Sequence, residues 1–347
     1  MAGDKFTTED FADIDVSRMA VAVTDAYFKH HPELGPGVQL RMREKCHQDV
    51  GYHYQFLSAA ILCDSREVFE QYAAWLKEVF ESNNLPLSHL EESFELISRY
   101  IGERVQPALA EAVAEVMRSG TDQLAKPGML VPVETPANAL VLPGAKPYTD
   151  ALLVGSQRHA GQVISQALGE GQKLVDVGVG IIQPAMYEVG RLWQASKLTV
   201  AQEHLATAIS QTLLVRSLMA EEYAEPNDRR ALFACVAGNH HMLGLRIVSD
   251  AFEVAGWDVD FLGADTPAES IVQLVDESKP DMIGLSVSMP GQVMELSDLV
   301  QRIRGEFSGS RPVITVGGQV LNSFGELTRG LGADEWFTDA KQAVEKG

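Results

Sequence analysis

From about position 8 to 119, apolar residues recur every three or four positions, the rhythm of helices that bury one face. The clearest segment runs from Ser65 to Asn84, where Val68, Phe69, Tyr72, Leu76, Val79 and Phe80 share a stripe. Asp64 before it and Glu67 three residues later have the form of a capping box. Ser88 with Glu91 marks another start, ahead of Leu90, Phe94, Ile97 and Ile101. A long helix between Gly37 and Cys63 turns Val50, Tyr54, Leu57 and Ile61 inward. These stripes bury enough apolar surface for an all-helical domain over residues 1–119.

The pattern then lapses. Residues 120–148 hold Pro127, Pro132, Pro136, Pro143 and Pro147, and proline fixes φ and removes donors, so an extended linker is expected. Its apolar triplets, Met129 to Val131 and Leu140 to Leu142, should seek cover on a domain surface. Helical rhythm returns over 149–226 as a four-helix bundle, with breaks at Gly169–Gly171 and Ser196–Leu198 and with Thr199 as an N-cap. Over 227–347 the period switches again. Ala231–Ala237, Asp258–Leu262, Met282–Val287 and Val313–Val316 are short apolar runs, with Glu335–Thr338 a weaker fifth. Helical stretches separate them, the signature of a doubly wound parallel sheet. The fold class is therefore α and α/β.

The 347 residues are 46% hydrophobic and 22% charged, the balance of a soluble globular protein of two to three domains. A net charge of −20 argues against a nucleic-acid surface, which needs clustered Lys and Arg. No apolar run approaches the ~18 residues that span a bilayer. The first ten residues are polar and acidic, unlike a signal peptide. Cys46, Cys63 and Cys235 lie far apart, which excludes a disulfide framework or thiolate zinc site and points to the cytoplasm.

Ligands on doubly wound sheets sit beyond the carboxyl ends of the strands, so those loops are the place to look for chemistry. They read Gly238-Asn239-His240-His241-Met242-Leu243-Gly244, then Gly263-Ala264-Asp265-Thr266-Pro267, Ser286-Val287-Ser288 and Gly317-Gly318-Gln319. Here the chain resembles the cobalamin-binding domain family. That family's pattern is an acidic residue, any residue, His, two more, Gly, then a serine loop and a double glycine. His241, Gly244, Ser286, Ser288, Gly317 and Gly318 fall in that frame, over residues 228–347. The resemblance implies His241 as the lower axial ligand of cobalt, with Asn239, Asp265 and Thr266 among the contacting residues. Neutral imidazole suits that position. Position 239 departs from the pattern: Asn replaces the carboxylate that would orient and enrich the imidazole. His240 is out of frame and reads as an ordinary loop histidine.

The bundle carries a second pattern: Trp193, nine residues, then Glu203-His204. It resembles the helical cap of adenosylcobalamin-dependent light receptors. The resemblance implies that Trp193 and Glu203 hold the adenosyl group in the dark. The resemblance further implies that light breaks the cobalt–carbon bond and that His204 then becomes the upper axial ligand. A plainer reading stays open, with Trp193 in the bundle core and Glu203-His204 on a solvated helix face. Those receptors usually begin with a winged helix-turn-helix, and no such segment is found here.

The stretch from Arg41 to Leu57 looks like the helical domain of photocobilins, in which cobalamin and biliverdin are held close together. The implied fold is globin-like. Arg41 and Arg43 suit propionates, and Asp49 with His53, four apart, suits pyrrole nitrogens. Tyr52, Tyr54 and Phe56 suit the conjugated plane, Cys46 a thioether, and His47 belongs to the same set. Asp49–His53 as a routine helical pair and His47 as a core histidine remain the plainer readings.

The function implied is a light sensor using adenosylcobalamin together with biliverdin, without catalytic residues of its own. Its expected output is light-dependent homo-oligomer assembly or binding of a downstream enzyme or signalling protein, since no output domain follows the sheet. No direct DNA or membrane contact is expected. The alternative is a corrinoid methyl carrier of a methyltransferase system. A helical interaction protein that has lost its cofactor ranks third, and DNA-binding regulation last.

Overall fold

The computed structural model describes residues 6–34, 36–126, 140–195, 197–309 and 312–347, and forms two compact units. The first is built on five helices: α1 (Val16–His30), α2 (Pro36–Leu62), α3 (Arg66–Ser82), α4 (Ser88–Gly102) and α5 (Pro107–Ala125). Their apolar stripes meet as the sequence pattern requires. Leu57, Phe69, Phe94, Ile97 and Leu109 are fully buried, and fully burying each such side chain contributes about 1.5–3 kcal/mol.

Three local expectations are corrected. Asp64 does not cap α3: it sits at φ 51°, the cap position is Ser65, and the Ser65 hydroxyl donates instead to Glu67. Ser88 is the first helical residue of α4 rather than its cap, which is Leu87. Helix α5 continues through Gly120, where the sequence suggested extended chain. Gly120 lies against the Phe69 ring, and an added Cβ there would come within 2.5 Å of it, so the glycine allows α3 and α5 to close. Most of the proline-rich stretch, residues 127–139 with Pro127, Pro132, Pro136 and Met129 to Val131, lies outside the described residues. Leu140 and Leu142 do find cover against the bundle, and Leu142 donates its amide to the Gly180 carbonyl, while Val141 is exposed.

The second unit begins with the bundle: α6 (Ala145–Leu153), α7 (Gln157–Gly169), α8 (Leu174–Val177), α9 (Gln183–Gln194) and α10 (Val200–Leu218). A π-helical turn, Gly178–Ile182, joins α8 to α9; such turns are frequent near functional sites. Thr199 caps α10 as expected, accepting the Gln202 amide while Gln202 returns a bond to the Thr199 amide. Tyr148 is fully buried, and its hydroxyl donates to Ser210, so the bundle core hides no unpaired phenol.

The sheet consists of β1 (Arg230–Val236), β2 (Asp258–Thr266), β3 (Met282–Ser286), β4 (Val313–Gly317) and β5 (Glu335–Trp336), all parallel, in the order β2-β1-β3-β4-β5. Helices α11 (Leu243–Val254), α12 (Ala268–Ser278), α13 (Gln292–Glu306), α14 (Gln319–Ser323) and α15 (Ala340–Lys346) connect or follow the strands. This is the doubly wound, Rossmann-like arrangement, and its strand order reverses between β1 and β3. Ile247 and Ala251 of α11 and Ala340 of α15 join the bundle's core, so the bundle packs on the helix that follows the His241 loop. Among the described residues no helix is long and apolar enough to cross a membrane.

Candidate functional site

Three loops at the carboxyl ends of β1, β2 and β3 are tied into one platform. Asn239, fully buried, donates from Nδ2 to the Ser286 carbonyl (2.8 Å) and accepts the His241 amide on Oδ1 (3.1 Å). Asp265 accepts the Gly238 amide (2.7 Å) and donates its own amide to the Asn239 carbonyl (2.9 Å). Those bonds offset its left-handed backbone, φ 50°, which costs a non-glycine residue on the order of 1 kcal/mol. Gln292, at the start of α13, accepts the amides of Ser288 (2.8 Å) and Met289 (3.0 Å) on Oε1 and donates from Nε2 to the Gly238 carbonyl (2.9 Å).

The double glycine has two different roles. At Gly318, φ is 116° and a Cβ would overlap the Val287 carbonyl oxygen, so glycine is what lets the β4 loop close on the β3 loop. Gly317 meets only the Phe337 carbonyl oxygen, 3.3 Å from an added Cβ. Gly238 and Gly244, by contrast, have open space around the missing side chain. Thr266 is buried, and its Oγ1 has no hydrogen-bond partner, a polar atom waiting for one.

His241 presents its ring to solvent from this platform. Surrounding protein nevertheless desolvates the imidazole enough to hold its pKa below the usual value; the Glu203 carboxylate opposes that shift and His240 adds to it. Burial thus favours the unprotonated ring, the form a metal ligand needs. Asn239 spends both ends of its amide on backbone groups, so it steadies the loop rather than enriching the ring.

On the bundle side, Glu203 accepts from Thr207 Oγ1 on Oε1 (2.9 Å), and its Oε2 is hydrogen-bonded to Nδ1 of His204 (2.6 Å). A carboxylate on one imidazole nitrogen orients the ring and enriches the other nitrogen as a donor to metal. Trp193, in the last turn of α9, is 45% exposed and so is not bundle core, whereas the His204 side chain is 75% exposed, in keeping with the plainer reading of a solvated helix face.

The α2 residues stand less close to a common purpose. His53 is fully buried with Nδ1 against the Tyr72 hydroxyl (2.7 Å), and desolvation pushes its pKa down to about 3. Asp49 has its pKa raised, chiefly by burial, and Cys46 is raised by burial and by Asp49. His47 has a buried Nε2 without a hydrogen-bond partner. Tyr52 is exposed, Arg43 is engaged by Asp25 (2.6 Å), and the side chain of Arg41 lies outside the described residues. Phe56 stacks on Tyr72 at 3.7 Å, and Tyr54 packs on Phe11.

The sheet-side residues fit a corrinoid: an accessible neutral imidazole, glycines with open space beside it, and an unpaired buried hydroxyl at the strand ends. Residues 229–346 match the B12 binding domain family, and residues 145–216 match a second B12 binding domain family. Dimethylamine corrinoid protein 2 of Methanosarcina acetivorans is 30% identical over 164 residues, covering 46% of this chain and 74% of that protein. The chain belongs to the B12-binding corrinoid proteins. It is also similar to two proteins of Myxococcus xanthus. The HTH-type transcriptional repressor CarA is 34% identical over 133 residues, 36% of this chain and 43% of that protein. The HTH-type transcriptional repressor CarH is 28% identical over 187 residues, 52% of this chain and 60% of that protein. This corrinoid protein thus spans about half the length of those two repressors. Its cofactor is cobalamin, and the matched segments are the bundle and the sheet domain.

Gln292 was not legible in the sequence as part of the site. Its only signal is a polar residue at the start of the helix that follows the serine loop, a feature most helices share.

Proposed function

We propose that this corrinoid protein is a light sensor using adenosylcobalamin together with biliverdin, whose illuminated state changes quaternary structure or the binding of a partner. When bound, adenosylcobalamin would supply a cobalt open to imidazole ligands and a light-sensitive cobalt–carbon bond. The chain's own residues supply the rest. His241 offers a neutral imidazole from the sheet, and Trp193 offers an exposed indole face to an adenosyl group in the dark. His204, hydrogen-bonded to Glu203, would offer a second imidazole to the metal after illumination. The observation that carries the reading is the Glu203–His204 hydrogen bond of 2.6 Å, which fixes one ring nitrogen and readies the other.

Such a switch works only where two states differ in contact free energy. Re-aiming His204 gives up its bond to Glu203 on α10, and α10 is part of the bundle core. Biliverdin is assigned to the α1–α5 unit on the set Arg41, Arg43, Cys46, His47, Asp49, Tyr52 and His53, supported by the unpartnered buried Nε2 of His47.

The second reading, a corrinoid methyl carrier, is favoured by the match that spans 74% of a dimethylamine corrinoid protein. Gel filtration of protein loaded with adenosylcobalamin, in darkness and after green light, separates the two. A light-dependent change in molecular size supports the sensor. An unchanged size, with methyl turnover in darkness from a methylated donor, supports the carrier.

A further inference from the structure

Three hydrogen bonds converge on one buried amide that neither the motif nor the family match marks as a site residue. Gln292 reaches the serine loop through the amides of Ser288 and Met289, and the histidine loop through the carbonyl of Gly238. Apart from Asn239, it is the side chain that ties these two loops together. The two ties differ in kind. Asn239 sits within the histidine loop and holds Ser286, at the end of β3, whereas Gln292 belongs to α13 and carries the position of that helix into the loop that bears His241.

The bonding pattern demands an amide. Oε1 takes two N–H donors, and Nε2 gives a proton to a carbonyl. A carboxylate would keep the first pair and turn repulsion on Gly238; a thioether would lose all three. Gly238 adopts φ 76° with open space where a side chain would stand, and its backbone is tied through its amide on Asp265 and its carbonyl on Gln292. Only Asn239 and His240 separate Gly238 from His241, so a shift of the Gly238 carbonyl is expected to reach the imidazole through the Asn239 bond to the His241 amide. Partners outside the ligand set that orient a metal-binding residue are typically worth about 10- to 100-fold in metal affinity.

We infer that Gln292 is a positioning residue for His241: its bond to the Gly238 carbonyl sets the histidine loop at the height from which the imidazole reaches cobalt, in competition with the cofactor's own base. The inference rests on cobalamin binding through His241, and its test separates the two.

The test uses full-length protein in which His204→Ala leaves His241 as the imidazole at issue, grown with ¹⁵N-histidine and loaded with cob(II)alamin. Nitrogen splitting in the electron paramagnetic resonance spectrum then identifies the axial ligand. A ¹⁵N protein imidazole gives a doublet, and the unlabelled base of the cofactor gives a triplet. The parent should show the doublet. Gln292→Glu, which keeps the serine-loop bonds and breaks only the bond to Gly238, should replace it with the triplet and weaken cobalamin uptake about 10- to 100-fold. Gln292→Met should do the same without an added charge. A parent without the doublet would refute His241 as ligand. A parent doublet that persists undiminished in Gln292→Glu would overturn the role of Gln292 and leave the ligand assignment standing.

Discussion

Glu203 and His204 share a hydrogen bond of 2.6 Å, and the same carboxylate partly opposes the burial that holds the His241 pKa below its usual value, so one acid acts on an imidazole of the bundle and on another of the sheet. The consequence is a division of labour. On the proposed reading, accessible His241 is the ligand in darkness and His204 is held in reserve. Replacing His204 with Ala is expected to leave uptake of adenosylcobalamin in darkness largely unchanged and to prevent a stable bis-imidazole spectrum after illumination. A light-state spectrum identical to the parent's would remove His204 from the mechanism.

Two glycines of the platform should respond in opposite ways. Gly318→Ala forces a Cβ into the Val287 carbonyl and strains a backbone at φ 116°, which by conformation alone costs about 1–3 kcal/mol. Gly244→Val meets nothing in the protein, so the melting point without cofactor should move little. If the space beside Gly244 serves the cofactor, the valine should nonetheless weaken cobalamin uptake. Thermal melts with and without cobalamin check both.

Asn239 is expected to matter for order more than for electronics. Asn239→Ala leaves the buried Ser286 carbonyl and the His241 amide without their bonds, at about 1–3 kcal/mol each at most. Urea denaturation should show that loss even in cofactor-free protein. A variant as stable as the parent would mean that these two bonds do not hold the loop.

The first unit should lose stability in mild acid through His53. Its folded pKa is depressed to about 3 from an ordinary 6.5, because burial penalises the imidazolium. Between those values the unfolded chain binds the proton and the folded chain does not. Stability is therefore complete above 6.5 and declines as pH falls, by up to about 1.4 kcal/mol per pH unit. His53→Gln should flatten that slope relative to the parent in urea melts between pH 7 and 4.5.

Legibility in the sequence followed the range of the interactions. Strands β1, β3 and β4 showed as apolar runs because both their faces are buried. The extension of β2 to Thr266 did not, since it depends on register shifts around Ala234 and on positive φ at Gly263 and Asp265. Thr199 was readable as a cap because its partner is three residues away; Asp64 was misread because the chain turns left-handed there. His241 and Gly244 stand three apart where the chain passes from β1 into α11, and Ser286 and Gly318 mark the carboxyl ends of β3 and β4, so each short signal could be read where it stands. Gln292 binds a carbonyl 54 residues back in the chain, and no local pattern announces such a partner.

The account turns on two histidines addressing one cobalt, and one experiment meets it head-on: the visible absorption spectrum of the protein loaded with adenosylcobalamin, recorded in darkness and again after green light. The expected result is loss of the alkylcobalamin band and its replacement by a stable bis-imidazole spectrum that His204→Ala abolishes. A spectrum that light leaves unchanged, or that decays to free aquocobalamin released from the protein, would contradict it.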